Sequence, residues 1–241
     1  MIPISYDMHL HSCLSPCGDD DMTPGNIIGM ASLLGLNAVA LTDHNTCKNC
    51  PAFLEFADSF GIIAIPGMEL TTAEEVHVLC YFKDLTDALA FDRYVEDKIL
   101  PIPNNPQFFG NQILTGTDDE PCGTFDTLLI SATSISFDQV YDLVKEYHGI
   151  MVPAHLDKSS TSLLSNLGMI PDNAKFRIAE LRHPENLETL KEQHPYLNKC
   201  HILTSSDAHR LDAVNEPVHF IHAEEKTAAG LFSALQNYER E

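Results

Sequence analysis

Basic residues are scarce in this chain. Of 241 residues, 14 are Lys or Arg against 35 Asp or Glu, a net charge of −21. Binding to long nucleic acid rests on Lys and Arg neutralising phosphates, so this balance predicts no long nucleic-acid partner. It leaves room for a small phosphorylated substrate, such as a nucleotide, a short oligonucleotide end or a phosphorylated metabolite, if metal ions supply the positive charge. Any apolar run of the roughly 18 residues that span a bilayer is also lacking, which predicts no membrane partner. The opening residues MIPISYD have neither a basic start nor an apolar core. No signal peptide is therefore expected, and the cytoplasm is the expected location. Internal repeats, low-complexity tracts and linkers are missing too, and the length suits a single domain over residues 1–241. The cysteines number seven. An odd count without a secretory signal predicts thiols rather than a disulfide framework.

What the chain does contain is an alternation of short β-branched runs and helical segments. ISYDMHLH reads as a strand. Thr23 and Pro24 then look like the cap and first turn of a helix whose apolar face comes from NIIGMASLLGL. NAVALTD, IIAIPGMEL and EVHVLCYF are further strands, with the helix PAFLEFADSFG between the first two. LTDALAFDRYVEDKIL reads as a helix. Residues 101–135 break the rhythm with a turn-rich stretch and two runs flanking TGTDDEPCG that could pair as a hairpin. The alternation resumes after Ser136 with the helix FDQVYDLVKEYHG and the strands IMVPAHL, FRIAELR, ILTSSDAH and PVHFIHA, and TAAGLFSALQNYE is the last helix. Such alternation predicts an α/β fold with a parallel sheet and right-handed crossovers. A closed or nearly closed barrel is favoured over an open sheet, because polar residues fall at the carboxyl ends of many separate strands.

Those strand ends carry the chemistry. They present His9 and His11, then Asp43 and His44, Glu69, His77, His155, and finally Asp207 and His209. The first loop adds Asp19, Asp20 and Asp21. Residues i and i+2 of a strand share a face, so His9 and His11 can share one ion, and so can Asp207 and His209. Imidazole with carboxylate suits zinc, manganese or iron. About nine candidate ligands at three or four per ion make room for two or three divalent ions. Neighbouring divalent ions activate a water and clamp the oxygens of a phosphoryl group.

The motifs DMHLHS, LTDHN, GMEL, EVH, PAHLDK and SSDAH, in this order, resemble the PHP family, the polymerase and histidinol phosphatase domain. The resemblance runs from about Asp7 to Arg210. It implies a PHP-type, distorted (β/α)7 TIM-like barrel with an inserted hairpin or loop region around 101–135, a trinuclear metal site and hydrolysis of phosphate esters by a metal-bridging hydroxide. Position by position, it makes His9, His11 and Asp207 ligands of a first ion, with Glu69 bridging to a second held also by His77 and His155. His44 and His209 match ligands of a third, joined by an acid of the first loop. There the family's Ser-Asp-Gly is replaced by Ser15-Pro16-Cys17-Gly18-Asp19-Asp20, so either Asp19 or Asp20 is the expected ligand. Glu69, Asp207 and His209 are the residues expected at the reacting centre. Lys158 and Arg210, beside the metal motifs, are candidates to touch phosphate, and Asp43 could orient a metal-bound histidine.

Two further readings accompany this one. An amidohydrolase would use a similar barrel on C–N bonds, though no lysine stands at a suitable strand end, and a non-catalytic metal-binding module would keep the ligands without turnover. The pairs Cys13/Cys17 and Cys47/Cys50 could together bind a separate structural zinc. His148, His183, His194, His201, His219 and His222 match no motif and suit surface roles.

Overall fold

The computed structural model describes residues 1–240. The chain begins with strand β1 (Ile2–Leu10), helix α1 (Pro24–Leu34), strand β2 (Ala38–Leu41), helix α2 (Cys50–Phe60) and strand β3 (Ile63–Thr71). Thr23 caps α1 by accepting from the Asn26 N–H, with Pro24 in the first turn. Gly35 ends the helix at φ 81°, and its N–H reaches back to Ala31 and Ser32. Strands β1, β2 and β3 pair in parallel, as right-handed β-α-β units do.

The expectation of a wholly parallel sheet fails at the next strand. β4 (His77–Tyr81) pairs antiparallel with β3, because only residues 72–76 join them and a crossover needs a dozen or more. Helices α3 (Leu85–Glu96) and α4 (Pro106–Phe109) follow. Strands β5 (Ile113–Thr115) and β6 (Pro121–Thr124) form the small hairpin foreseen within residues 101–135. Helix α5 (Phe137–Glu146) starts with a capping box of Ser136 and Gln139. It leads to β7 (Ile150–Pro153), which pairs antiparallel with β4. The remaining elements are α6 (Leu163–Leu167), β8 (Ile178–Glu180), α7 (Leu187–Gln193), β9 (His201–Leu203), β10 (Phe220–Ala223) and α8 (Ala228–Arg240).

The main sheet runs β10-β1-β2-β3-β4-β7, and β8 and β9 form a parallel pair of their own. Single hydrogen bonds link these pieces into a curled ring. Leu156 N–H donates to Glu180 O at 2.9 Å between β7 and β8, and His11 N–H donates to Ala208 O at 3.0 Å between β1 and the loop after β9. Strand β10 lies antiparallel along the amino-terminal half of β1. Two apolar layers follow. An inner one joins Ile4, Met8, Ala38, Ala40, Ile65, Leu79, Tyr81, Val152 and Ile178 to Leu231, Phe232 and Leu235 of α8. An outer one packs helices α1, α2, α3 and α5 on the sheet through residues such as Ile27, Phe53, Phe91 and Val140.

This inner layer fixes which polar residues point inward. Side chains alternate along a strand, so inward Ile65 sets Glu69 inward, Leu79 sets His77 inward, and Ile178 sets Glu180 inward. Strand β1 departs from this parity, since Met8 is already an inner residue. Its register with β2 slips between Asp7 and Leu10. A bulge re-aims the side chains that follow it, which brings His9 and His11 to the inner side. Strand β7 solves the same problem differently. Ala154 belongs to the inner layer, yet its neighbour His155 also turns in, at φ 30°.

Candidate metal centre

Glu69 stands at the middle of the inward polar residues, buried with about 1% of its side chain exposed. Its Oε1 lies 2.9 Å from His77 Nδ1, 3.1 Å from His155 Nε2 and 3.4 Å from His9 Nε2. Its Oε2 lies 3.1 Å from His44 Nδ1 and 3.3 Å from His11 Nε2. Asp207 faces the same space, with Oδ1 at 3.5 Å from His9 Nε2 and 3.3 Å from His11 Nε2. His209 stacks on His11 with ring centroids 4.1 Å apart. Chain segments about 200 residues apart thus meet at one mouth, and both His155 and Asp207 hold positive φ, 30° and 54°. A non-glycine residue in that region costs on the order of 1–3 kcal/mol, and such strain gathers at functional positions.

The donor set fits divalent cations. His9 Nε2 and His11 Nε2 point at each other across 3.1 Å, a spacing at which two lone pairs repel unless a proton or a cation lies between them. His44 Nδ1 and Glu69 Oε2 are close but make no aligned hydrogen bond, and both are buried. Buried polar atoms without partners are uncommon and call for an explanation. Three groups have ligand atoms within 4.8 Å of one another: His9, His11, Glu69 and Asp207; His44, Glu69 and His77; and His11, His44 and His209. Each pair of groups shares one residue. This grouping differs from the one the family resemblance implied, in that His44 joins Glu69 and His77, and His11 rather than a loop acid joins His44 and His209.

Electrostatics support the same reading. Burial alone would raise Glu69, but His77, His9 and His44 around it hold its carboxyl well below the ordinary range. Burial would likewise strip charge from His9, yet Glu180, Glu69 and Asp207 hold its pKa well above the usual imidazole value. A proton on His9 and a bound cation are alternative ways of balancing those carboxylates. Burial, with His11 and His77 nearby, drives His44 well below its usual pKa, and burial with His11 takes His209 down to about 4. Both rings therefore offer unprotonated nitrogens at neutral pH.

A second layer holds these rings. His9 Nδ1 meets Glu180 Oε2 at 2.9 Å. His11 Nδ1 meets Ser15 Oγ at 2.9 Å, and Ser15 Oγ donates to Asp43 Oδ1 at 2.7 Å. Asp43 also accepts from Ser12 N at 2.7 Å and Ser12 Oγ at 2.6 Å. Asp43 thus reaches His11 through Ser15 and touches no histidine side chain directly. Asp7 accepts from the N–H groups of Ser206 and Asn215, which bracket Asp207 and His209. Glu180 escaped the sequence reading because FRIAELR contains no motif. Its only signal was an acid at inward parity near a strand end.

Other expected residues sit elsewhere. The Asp19 side chain is 60% exposed and faces Arg210 at 3.7 Å, and Asp20 accepts from Asn111 at 2.8 Å. Neither carboxylate joins the three groups, although the Asp19 N–H donates to His209 O at 3.0 Å. The cause is the extra length of the Pro16-Cys17-Gly18 turn, which carries the acids outward. Lys158 does reach the cluster, with Nζ 3.3 Å from Asp207 Oδ2. Arg210 stays on the rim, 65% exposed and paired with Asp212 at 3.2 Å. The four-thiol zinc site is not formed. Cys47 and Cys50 point at Gly67 O, Cys13 points at the insertion through Ile113 O, and Cys17 is exposed. Among the described residues no ligand group contains a cysteine. No helix there is long and apolar enough to cross a membrane.

The chain is similar to an uncharacterised protein of Methanocaldococcus jannaschii, 29% identical over 99 residues that make up 37% of this chain and 58% of that protein. It is also similar to the 5'-3' exoribonuclease Rnm of Salmonella typhimurium, 33% identical over 76 residues, 31% of this chain and 25% of the other. Among solved structures it resembles the lesion-specific endonuclease Q of Pyrococcus furiosus, with TM-score 0.70 and 20% identity over 98% of this chain and 56% of that one. A further structure shows endonuclease Q with a 27-mer duplex whose abasic lesion lies at the active site, with TM-score 0.68 and 19% identity over 98% and 57% of the two chains. The chain thus spans less than two thirds of the length of these relatives.

These likenesses overturn the inference from net charge against long nucleic acid. Net charge sums the whole surface and does not report the field at one mouth. The model of the PHP domain matches residues 7–228, and the chain belongs to the PHP domain family, whose members are metal-dependent hydrolases of phosphate esters.

Proposed function

We propose that this chain hydrolyses phosphodiester or terminal phosphate bonds of nucleic acids at the centre around Glu69 and Asp207, and that residues 1–241 act as one metallohydrolase unit. The observation that carries the reading is the convergence of His9, His11, His44, His77, His155 and His209 on these two carboxylates in a buried mouth. The names of the exoribonuclease and endonuclease relatives support the substrate class.

The residues divide the work as follows. His9, His11, Glu69 and Asp207 would hold one divalent ion, His44, Glu69 and His77 a second, and His11, His44 and His209 a third. His155 would complete the shell beside Glu69. Zinc, manganese and iron all suit imidazole with carboxylate. Bound there, such ions supply Lewis acidity to the phosphoryl oxygens and lower the pKa of water. Lys158, next to Asp207 and a third exposed, would meet a phosphate oxygen. His209 is the most open of the facing rings, at 26% exposure, and marks the side from which a substrate enters. The surrounding burial excludes bulk water from Glu69 and strengthens every charge interaction there.

The test uses purified protein with added Mn2+ or Zn2+, offered end-labelled single-stranded RNA and DNA, an abasic duplex and p-nitrophenyl phosphate. Cleavage of a nucleic acid that disappears in the H9A/H11A variant and after chelation supports the proposal. Turnover of p-nitrophenyl phosphate alone would return the substrate to small esters. Undiminished cleavage without metal would end the reading.

A further inference from the structure

Glu180 is a buried carboxylate that no motif marks. Its side chain is about 1% exposed, and it stands at the inward end of β8 between two candidate ligands. Its Oε2 lies 2.9 Å from His9 Nδ1 and accepts from the His155 backbone N–H at 3.0 Å. One oxygen thus ties β1 to β7 at the depth of the metal centre. Its other oxygen, Oε1, is buried and has no hydrogen-bond partner. The energetic cost of such an arrangement needs a return that packing does not supply.

An imidazole can bind a cation through Nε2 only if that nitrogen is free of its proton, and an acceptor held against Nδ1 keeps the remaining proton there. The His9 ring has that acceptor in Glu180, while its Nε2 faces His11, Glu69 and Asp207. His11 takes its own support from Ser15 Oγ instead. From this geometry we infer that Glu180 is a positioning residue: it keeps the His9 proton on Nδ1 and aims Nε2 into the centre, while the same oxygen fixes where His155 begins its turn. The inference rests on the metal-ligand reading of His9.

The full chain is titrated with Zn2+ against a chromophoric chelator, as wild type, E180A and E180Q. Outer partners of this kind are worth about 10–100-fold in metal affinity, and E180A is expected to lose that much. E180Q keeps an acceptor oxygen in place and should recover most of it. In nitrogen-15-labelled histidine spectra of the metal-free protein, the hydrogen-bonded Nδ1 proton of His9 should persist in wild type and E180Q and vanish in E180A. If E180A fails to fold, E180D, which withdraws the acceptor by one methylene but keeps the charge, must show the same weakening. Equal affinity in E180A and wild type, or E180Q as weak as E180A, would overturn the inference. A purely structural Glu180 would lower the melting temperature in both variants without separating their affinities. Failure of the wild type to bind Zn2+ would instead remove the ligand reading itself.

Discussion

At the scale of single residues, the centre depends on buried carboxylates that never face the ion space. Asp43 is one. It accepts three hydrogen bonds, from Ser12 N, Ser12 Oγ and Ser15 Oγ, in a fully buried setting. Changing Asp43 to Ala leaves those donors unpaired, and an unpaired buried donor costs about 1–3 kcal/mol. Urea unfolding of the metal-free D43A protein should show a loss of about 3 kcal/mol in all, allowing for relaxation of the Ser12–Ser15 turn. A second consequence is a weaker hold on His11, read as reduced Zn2+ affinity. The histidines were legible in the sequence because an imidazole at the end of strand after strand has no cheap structural explanation. Glu180 was not, because one acid among 35 is distinguished only by parity and depth. Asp19 and Asp20 lie outside the three groups, and spacing along a loop does not say which way the loop turns.

At the scale of elements, helices were readable from caps and apolar faces, and strands from β-branched runs. Pairing direction was not, because β3 and β4 read alike whether parallel or antiparallel; only the five residues between them decide. The insertion between α3 and α5 illustrates how little a composition reading reveals about anchoring. Its β5–β6 hairpin leans on Gln112, which is buried and at φ 51°. The Gln112 amide donates to Phe125 O at 2.6 Å and Thr127 O at 2.8 Å, and its Oε1 accepts from Leu129 N at 2.9 Å. Replacing Gln112 by Ala removes all three. Amide hydrogen exchange across residues 104–129 should accelerate in Q112A, while exchange in β1, β3 and β4 stays slow. Uniform acceleration across the molecule would mean that the insertion is part of the cooperative core.

At the scale of the whole molecule, a ligand that binds only the folded state stabilises it by mass action. Zn2+ or Mn2+ at 100 times its dissociation constant should add about 2.7 kcal/mol to unfolding free energy. A thermal shift with metal is therefore expected for wild type, and a smaller one for H9A/H11A, which keeps only the His44, Glu69 and His77 group intact. The acidic surface gives a second prediction. Nucleic-acid affinity falls with salt in proportion to the phosphates neutralised by side chains, about 0.7 per contact for single strands. With Lys158 and Arg210 the cations beside the mouth, the slope of log affinity against log salt should be about −1.4, measured with a catalytically silent ion such as Ca2+. A slope several times steeper would require a basic track elsewhere on the protein.

The ring of strands is closed at β1 by one backbone hydrogen bond, from His11 to Ala208. His9 and His11 lie on one bank of that seam, and Asp207 and His209 on the other. A cation held by both banks would act as a rivet across that seam, beside the bonds that Asp7 accepts from Ser206 and Asn215. Removing it should let residues 204–215 gape first, so that a protease or deuterium reaches that flap well before the rest of the molecule gives way.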